Sequence, residues 1–369
     1  MGAMKPTRKP RPSCPLADCQ AALGRVPHRV IKHSALRTKA GRRRRHRCLV
    51  CVRTFVATTG TAYWRMRKPR TDFDRAVTML SEGMSKAAIA RVLDVSPSTI
   101  SRWLQRGGAH VERFHARHAH LPGAVEVQMD ELSTGGVGKA KSAWAYSAVE
   151  VWSRFWAALH VGNRTLSNTF RFTRKVRDAV EGVHTGDSAR RRSLAPSEVH
   201  PLLVTSDGFK YYRPAMRRAF RHRSVAYVQV ENTYARGRIA RSESTLVLGR
   251  QDLLDRAVER SEDSKRPNTS YIERINLRKR MCCSLLRRRN PAPARSVARL
   301  TEALELVRVF YNFIHGHSSL KFGKVKRTPA MQAGIFARPL TIREIFMWVP
   351  PAESRTAARL RNLTQGAVT

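Results

Sequence analysis

Glu273 stands in the stretch T-S-Y-I-E-R-I-N-L-R-K-R, residues 269–280, a carboxylate set among basic residues. On a helix, positions three, four and seven apart share a face, so Glu273 shares a stripe with Asn276, Leu277 and Arg280. Such a stripe can hold a cation against a phosphate. The same residues allow a plainer reading, an S-x-x-E capping box in which Ser270 and Glu273 satisfy free backbone N–H groups at a helix start. Two aspartates elsewhere bear on the choice. Asp130 ends the alternating run V-E-V-Q-M-D at 125–130, and Asp207 follows the apolar run L-L-V-T-S at 202–206. Glu131 rivals Asp130 but falls on the apolar parity of its strand. Taken singly, Asp130 also reads as a strand-end cap and Asp207 as the turn residue of Asp-Gly. With Glu273 they make three acids that can converge. At about 4 Å and an effective dielectric of about 20, each carboxylate pair repels by roughly 4 kcal/mol, so a converged set needs cations. Oxygen-only ligands suit Mg²⁺ or Mn²⁺. Two such ions can activate a water or a 3′-hydroxyl and stabilise the leaving oxygen of a phosphodiester.

A second set is sulfur. Cys14 and Cys19 enclose four residues, Cys48 and Cys51 enclose two, and the segment between the pairs alternates in polarity. This pattern predicts a zinc ribbon, in which four thiolates close a tetrahedral structural Zn²⁺ site. His28, His33 and His46 are possible substitutes, and reduced structural cysteines are the alternative. The remaining pair, Cys282 and Cys283, reads as buried thiol. Arg42, Arg43, Arg44 and Arg45 lead into Cys48; they read either as a solvated turn or, as the basic composition favours, as a phosphate-contacting surface.

That composition is lopsided. Among 369 residues there are 70 Lys and Arg against 27 acids, a formal net charge of +43. The basic residues are spread through patterned segments, which implies a folded binder of a polyanion, nucleic acid before lipid. No apolar run approaches the roughly 18 to 20 residues of a membrane span, and the basic segment 1–12 lacks the apolar core of a signal peptide. The expectation is a cytoplasmic protein, nucleoid-associated in a bacterium. A hydrophobic content of 42% is enough for sizeable cores, and the length implies two or three domains.

The elements that must position these residues are readable in outline. Phe73, Val77 and Leu80 mark a first helix that ends near Gly83; Ser85 caps a second, and Pro97 opens a third after the turn 94–96. This predicts a helix-turn-helix, with Ile100, Trp103 and Leu104 inward and Ser98, Thr99, Ser101, Arg102 and Gln105 outward for groove and phosphate contacts. A merely structural three-helix cluster is the alternative. Gly107, Gly108 and the stretch 114–123 read as a linker. Strands at 125–130, 142–152 and 155–161 predict a meander. A helix at 166–181, a loop through Arg190–Arg192, a strand at 202–207, a helix at 211–222 and a strand at 225–230 follow. Residues 231–267 read as a charged, poorly patterned insertion before the helix of Glu273, and 298–314 as an amphipathic helix that caps the sheet. Arg274, Arg278, Lys279 and Arg287–Arg289 are expected to line nucleic acid.

Several pieces resemble one family. They are Cys48-Leu-Val-Cys51 with Arg53-Thr-Phe55, Met129-Asp130-Glu131, Thr205-Ser-Asp207-Gly, Glu273-Arg-Ile-Asn276 with Arg280, and Tyr311-Asn-Phe313 through His317-Ser-Ser-Leu320 with Thr328-Pro329. Together they resemble the DDE-type transposases of bacterial insertion sequences, over most of the chain. Departures are the four-residue gap in the first cysteine pair and His315-Gly316 within the Tyr311 motif. The resemblance implies a multidomain protein: a basic N-terminus and zinc ribbon at 1–60, an all-α helix-turn-helix with linker at 61–121, an α/β RNase H-like core with a five-stranded mixed sheet at 122–335, and a tail at 336–369. It implies that Asp130, Asp207 and Glu273 hold two catalytic Mg²⁺ or Mn²⁺ ions for cleavage and strand transfer. Asn276 and Arg280 would contact DNA, and the partners would be double-stranded transposon ends and target, bound by a homo-oligomer. A non-catalytic DNA-binding regulator with a decayed core and a metal-dependent nuclease are the alternative functions.

Overall fold

A computed structural model describes residues 13–350 except 17, 39–40, 122, 136–142, 183–194, 222–223, 236–237, 262, 264 and 287–293. Arg190–Arg192, Arg287–Arg289 and the end of the expected tail, 351–369, lie outside the described residues. The chain divides into two units, one of residues 1–73 with 346–369 and the other of residues 74–345.

The smaller unit holds β1 (Val30–Thr38), β2 (Gly41–Cys48) and β3 (Thr54–Val56), an antiparallel sheet in that order. Its core is slight: Cys14, Cys19, Ala21, Cys48 and Phe55. The four arginines, read as a solvated turn or, preferably, a phosphate-contacting surface, are on β2, each paired across to β1. Strand alternation therefore splits them. Arg42 and Arg44 are exposed. Arg43 donates to the Met66 carbonyl at 3.5 Å, and Arg45 donates to the Thr54 hydroxyl.

The larger unit begins within α1 (Arg70–Ser81) and continues with α2 (Lys86–Val92) and α3 (Pro97–His118). Ser85 and Ser96 cap α2 and α3, each side chain accepting a backbone N–H, and Pro97 occupies the first turn of α3 as its fixed φ favours. The helix does not stop at the glycine pair. α3 runs through Gly107 and Gly108 for 22 residues, because Gly108 is a packing position. A Cβ there would come within 2.6 Å of the Glu302 Cβ and 2.7 Å of its Cα, so only glycine lets the two helices approach this closely.

Beyond α3 come β4 (Glu126–Ser133), β5 (Trp144–Glu150), β6 (Phe155–Gly162), α4 (Leu166–Val180), β7 (Leu202–Ser206), α5 (Tyr212–Ala219), β8 (Val225–Ala235), β9 (Arg238–Leu248), α6 (Gln251–Arg260), α7 (Ser270–Cys282) and α8 (Val297–Val309). The sheet order is β6-β5-β4-β7-β8-β9, with β4, β7 and β8 parallel and β5 and β9 antiparallel to their neighbours. It has six strands, not the five expected. The sixth lies in the segment read as an insertion, where β9 pairs with an extended β8. β9 is an edge strand, mostly exposed and rich in Arg, Ser and Glu, so it lacks the apolar run that marks the buried strands.

Both faces of the sheet are covered. Val127, Met129, Tyr146, Leu202 and Val204 pack with Phe172 and Val176 of α4 and Tyr212 and Met216 of α5. On the other face Leu203, Ala226 and Val228 pack with Ala257 of α6. α8 lies against β6 and α3 through a buried ionic cluster. Arg308 donates to the Trp156 and Ala157 carbonyls at 2.9 and 2.5 Å and to Glu305 at 3.1 Å, while His115 Nδ1 lies 2.9 Å from Glu305.

Burial works against Glu305's charge, but Arg308 and then His115 outweigh it and hold its pKa at about 2; burial and Arg308 lower His115 to about 4. Both folded-state values lie below the ordinary ones of 4.5 and 6.5, so the unfolded chain takes up protons first on acidification. Stability is expected to fall from pH 6.5 through 4 with His115 and from 4.5 towards 2 with Glu305. In urea titrations across this range, Glu305→Gln should flatten the lower limb. At neutral pH it should cost about 3–5 kcal/mol, because Arg308 is left buried and unpaired. Gly108→Ala should also lose stability, by about 1–3 kcal/mol through overpacking against Glu302, despite the better helix propensity of alanine.

Candidate functional site

The register of β4 against β7 pairs Met129 with Ser206, so the next residue on each strand is an aspartate. Asp130, Asp207 and Glu131 thereby bring carboxylate oxygens within 4.8 Å of one another. Asp130 is not at a strand end, since β4 continues to Ser133; Asp207 does follow the last residue of β7. Each aspartate also makes the local bond of its plainer reading. Asp130 Oδ1 accepts from the Glu131 N–H at 2.7 Å, and Asp207 Oδ1 accepts from the Phe209 N–H at 3.2 Å.

α7 is fastened to β4 at two points. The side-chain oxygen of Gln128 accepts the N–H groups of Tyr271 and Ile272 at 2.8 and 3.2 Å, and Asn276 donates to Asp130 Oδ2. The spacings match: two strand residues span about 6.6 Å, and four to five helical residues span about 6 to 7.5 Å. Gln128 and Asn268 thus take over the start of α7. Asn268 accepts from both the backbone and the hydroxyl of Ser270, and its own carbonyl accepts from Thr205 of β7 at 2.9 Å. The expected Ser270–Glu273 capping box does not form. Thr269 is the cap residue, without a side-chain cap bond, and its hydroxyl donates instead to Glu273 Oε1 at 3.3 Å.

Glu273 itself is exposed and lies outside the carboxylate group. Asn276, expected to face DNA, is buried against Asp130, and Arg280 is half-buried. Lys279 is not at the surface either. It is fully buried, donates to the Ala145 carbonyl at 3.2 Å and the Ser147 hydroxyl at 3.1 Å, and is pushed down to about 7 by burial.

Glu131 reaches the group from the opposite sheet face. Its Oε1 accepts from Arg164 Nε and Nη2 at 2.9 and 2.5 Å, and the guanidinium is sandwiched between Trp144 and Phe209. Its Oε2 and the Tyr212 hydroxyl are both buried, and the hydroxyl favours the charged form of Glu131. Burial, then Asp207, raises Glu131 to about 7, and burial, then Asp130, raises Asp207. Carboxyls raised by burial and then by one another's charge are what a divalent cation would relieve, so the donor set fits a hard, oxygen-liganded ion. Arg164 and Gln128 were not singled out in the sequence. Nothing periodic marks them, because their partners come from other elements.

The sulfur set converges fully. Cys14, Cys19, Cys48 and Cys51 lie within 4.8 Å of one another, with Cys14–Cys51 and Cys19–Cys48 Sγ separations of 3.8 Å. Four sulfurs about 2.3 Å from one zinc stand roughly 3.8 Å apart at the corners of a tetrahedron, so the cluster fits that ion. His28, His33 and His46 are not in the group; His46 stacks on Phe55 instead.

On α3, the expected outward residues separate. Ser98, Arg102 and Gln105 form an exposed stripe at positions i, i+4 and i+7. Ser101 is half-buried and donates to the Pro97 carbonyl, and Thr99 bonds the Ser96 cap at 2.9 Å. Leu104 is half-buried, while Ile100 and Trp103 are buried as expected. Residues 75–110 match the family model of a homeodomain-like domain. This homeodomain-like segment covers the end of α1, all of α2 and the first half of α3, including the exposed stripe. A comparison with curated proteins found no match to the chain. No helix among the described residues is long and apolar enough to cross a membrane.

Replacement of Cys48 and Cys51 by serine together should abolish zinc retention and unfold the ribbon, since metal binding contributes on the order of 10 kcal/mol to so small a core. Zinc content of the purified double variant, measured beside its far-ultraviolet circular dichroism, checks this; unchanged metal would remove the site.

Proposed function

We propose that the protein is a DDE-type insertion-sequence transposase that binds element-end DNA and carries out metal-dependent strand cleavage and strand transfer. The observation that carries this reading is the pair Asp130 and Asp207, side by side on neighbouring parallel strands and flanked by α7, in a chain of net charge +43 with a homeodomain-like segment. The meander, the two further parallel strands and the helix behind them are consistent with an RNase H-like core, here with β9 added at the edge. Ser98, Arg102 and Gln105 would read the groove, and Arg42 and Arg44 would contact phosphates. Transposon ends and target would be held by a homo-oligomer.

Asp130, Asp207 and Glu273 would hold the Mg²⁺ or Mn²⁺ ions. When bound, these supply an activated oxygen nucleophile and stabilise the leaving oxygen. The chain's own groups do the positioning. Asn276 orients Asp130 by its donated hydrogen bond, while Gln128 and Asn268 fix the helix that carries Glu273. Glu131 is the less suitable third ligand, because Arg164 already holds one of its oxygens on the other face of the sheet. Glu273 is exposed, with a single bond from Thr269 among the described residues, and is free to change rotamer. That same displacement from the aspartates favours a second reading, a DNA-binding regulator without catalysis.

The two readings part on one assay. With labelled element-end DNA and Mg²⁺, Glu273→Gln and Asp130→Asn should each lower strand cleavage by more than about 100-fold, beyond what loss of a supporting residue costs. DNA binding should change only a few-fold. Asn276→Ala should fall in the supporting range of about 10- to 100-fold. Cleavage retained by Glu273→Gln but lost in Glu131→Gln would transfer the third ligand to Glu131. No cleavage by the unmodified protein in either metal would favour the regulator.

A further inference from the structure

Arg274 and Arg278 lie on the flank of α7 away from the carboxylates. With Tyr271 they form a stripe at i, i+3 and i+7, whereas Glu273, Asn276 and Arg280 form the stripe on the other side of the helix. The first stripe lines a cleft of 570 Å³ whose other walls come from Arg154 and the segment around Tyr311 and His317. No carboxylate among the described residues lines it. Arg154 is paired with Asp263 at 2.8 Å and stacks over the Tyr271 ring at 4.0 Å. Arg274 and Arg278 show no ion pair among the described residues; Arg278 Nη2 lies 3.3 Å from His315 Nδ1, while its Nε is buried without a hydrogen-bond partner among those residues. Two like charges one turn apart on a helix repel. Burial raises the Tyr311 hydroxyl, and Arg154, Arg278 and Arg274, which line the same cleft, all oppose that rise. Burial lowers His317 to about 4 and also lowers His315, whose Nε2 lies 3.3 Å from Glu82.

We infer that this cleft is a nucleotide subsite that takes one unpaired nucleotide of a DNA strand, its phosphate on Arg274 and Arg278 and its base against the wall of Tyr271, Tyr311 and His317. The inference rests on the reading that the protein handles DNA, and adds which form of DNA this surface selects. Uncompensated guanidiniums call for an anion, and planar guanidinium matches phosphate. The aromatic wall and a volume far larger than one phosphate call for a ring system beside it. A base in a duplex hides its faces in the stack, so it reaches such a wall only when unpaired. The carboxylates are about one helix diameter away, roughly 10 Å, so a strand passing them reaches the cleft within a short length.

The test compares two labelled DNAs on the full chain by fluorescence anisotropy in metal-free buffer: one blunt duplex, and the same duplex with a short single-stranded extension. The unmodified protein should prefer the extended DNA by about five- to a hundred-fold, the range that stacking of one base supplies. The readout is the ratio of the two affinities, which any loss common to both DNAs leaves unchanged. Tyr271→Ala and Arg274→Gln should each reduce the ratio towards one, and Tyr271→Phe should keep it. Arg274 is exposed, so its variant guards against misfolding of the other. Equal affinity for both DNAs in the unmodified protein, or a ratio unchanged in Tyr271→Ala and Arg274→Gln, overturns the subsite while leaving DNA binding intact. Failure to bind either DNA overturns the underlying reading as well.

Discussion

The parallel register between β4 and β7 is the constraint on which the candidate site depends. Pairing Met129 with Ser206 leaves no choice about the next residues: two aspartates emerge together from adjacent strands, in a partly buried place that resists negative charge. Such an arrangement is costly, because carboxylates this close repel and lose solvation. The structure accommodates it with groups that act on one oxygen at a time. Asn276 and the Glu131 N–H each take one oxygen of Asp130, the Phe209 N–H takes one of Asp207, and Arg164 takes one of Glu131. The other Glu131 oxygen is buried and interacts with the Tyr212 hydroxyl.

Around that constraint α7 works as a ruler. Gln128 and Asp130 point the same way from β4, and the rise of the helix lets Tyr271, Ile272 and Asn276 meet them in step. With its inner face committed to Ile272, Ile275 and Lys279, the helix has two flanks left. One carries Glu273 towards the aspartates' side, and the other carries Tyr271, Arg274 and Arg278 into the cleft. A single helix therefore holds Glu273 and the cleft arginines Arg274 and Arg278 on different flanks, about its own width apart.

Much of the architecture is local and was readable. The caps Ser85 and Ser96, Pro97 at a helix start and the apolar face through Ile100 and Trp103 act within a few residues of one another, and the three helices stand where these signals put them. The meander and β7 follow from period and apolar runs for the same reason. Misreadings arose where the cause lay far along the chain. Gly107 and Gly108 looked like a linker because the reason for Gly108 is Glu302; β9 looked like an insertion because an edge strand needs no apolar face; and Lys279 looked like a surface lysine because its acceptors are on β5.

By itself the sequence determined the ingredients: an excess of positive charge, four cysteines in two close pairs, three helices with their caps, and acids beside strands whose alternation already placed Glu131 opposite Asp130. Only the tertiary structure decided which of them meet. It brought the four sulfurs to tetrahedral separations, joined Asp130 and Asp207 through a strand register, turned Asn276 inward and left Glu273 outside. The physical reason is range. Propensity and periodicity act over one or two turns of chain, whereas each of these pairings closes across 29 to 146 residues and is settled by how sheet and helices pack.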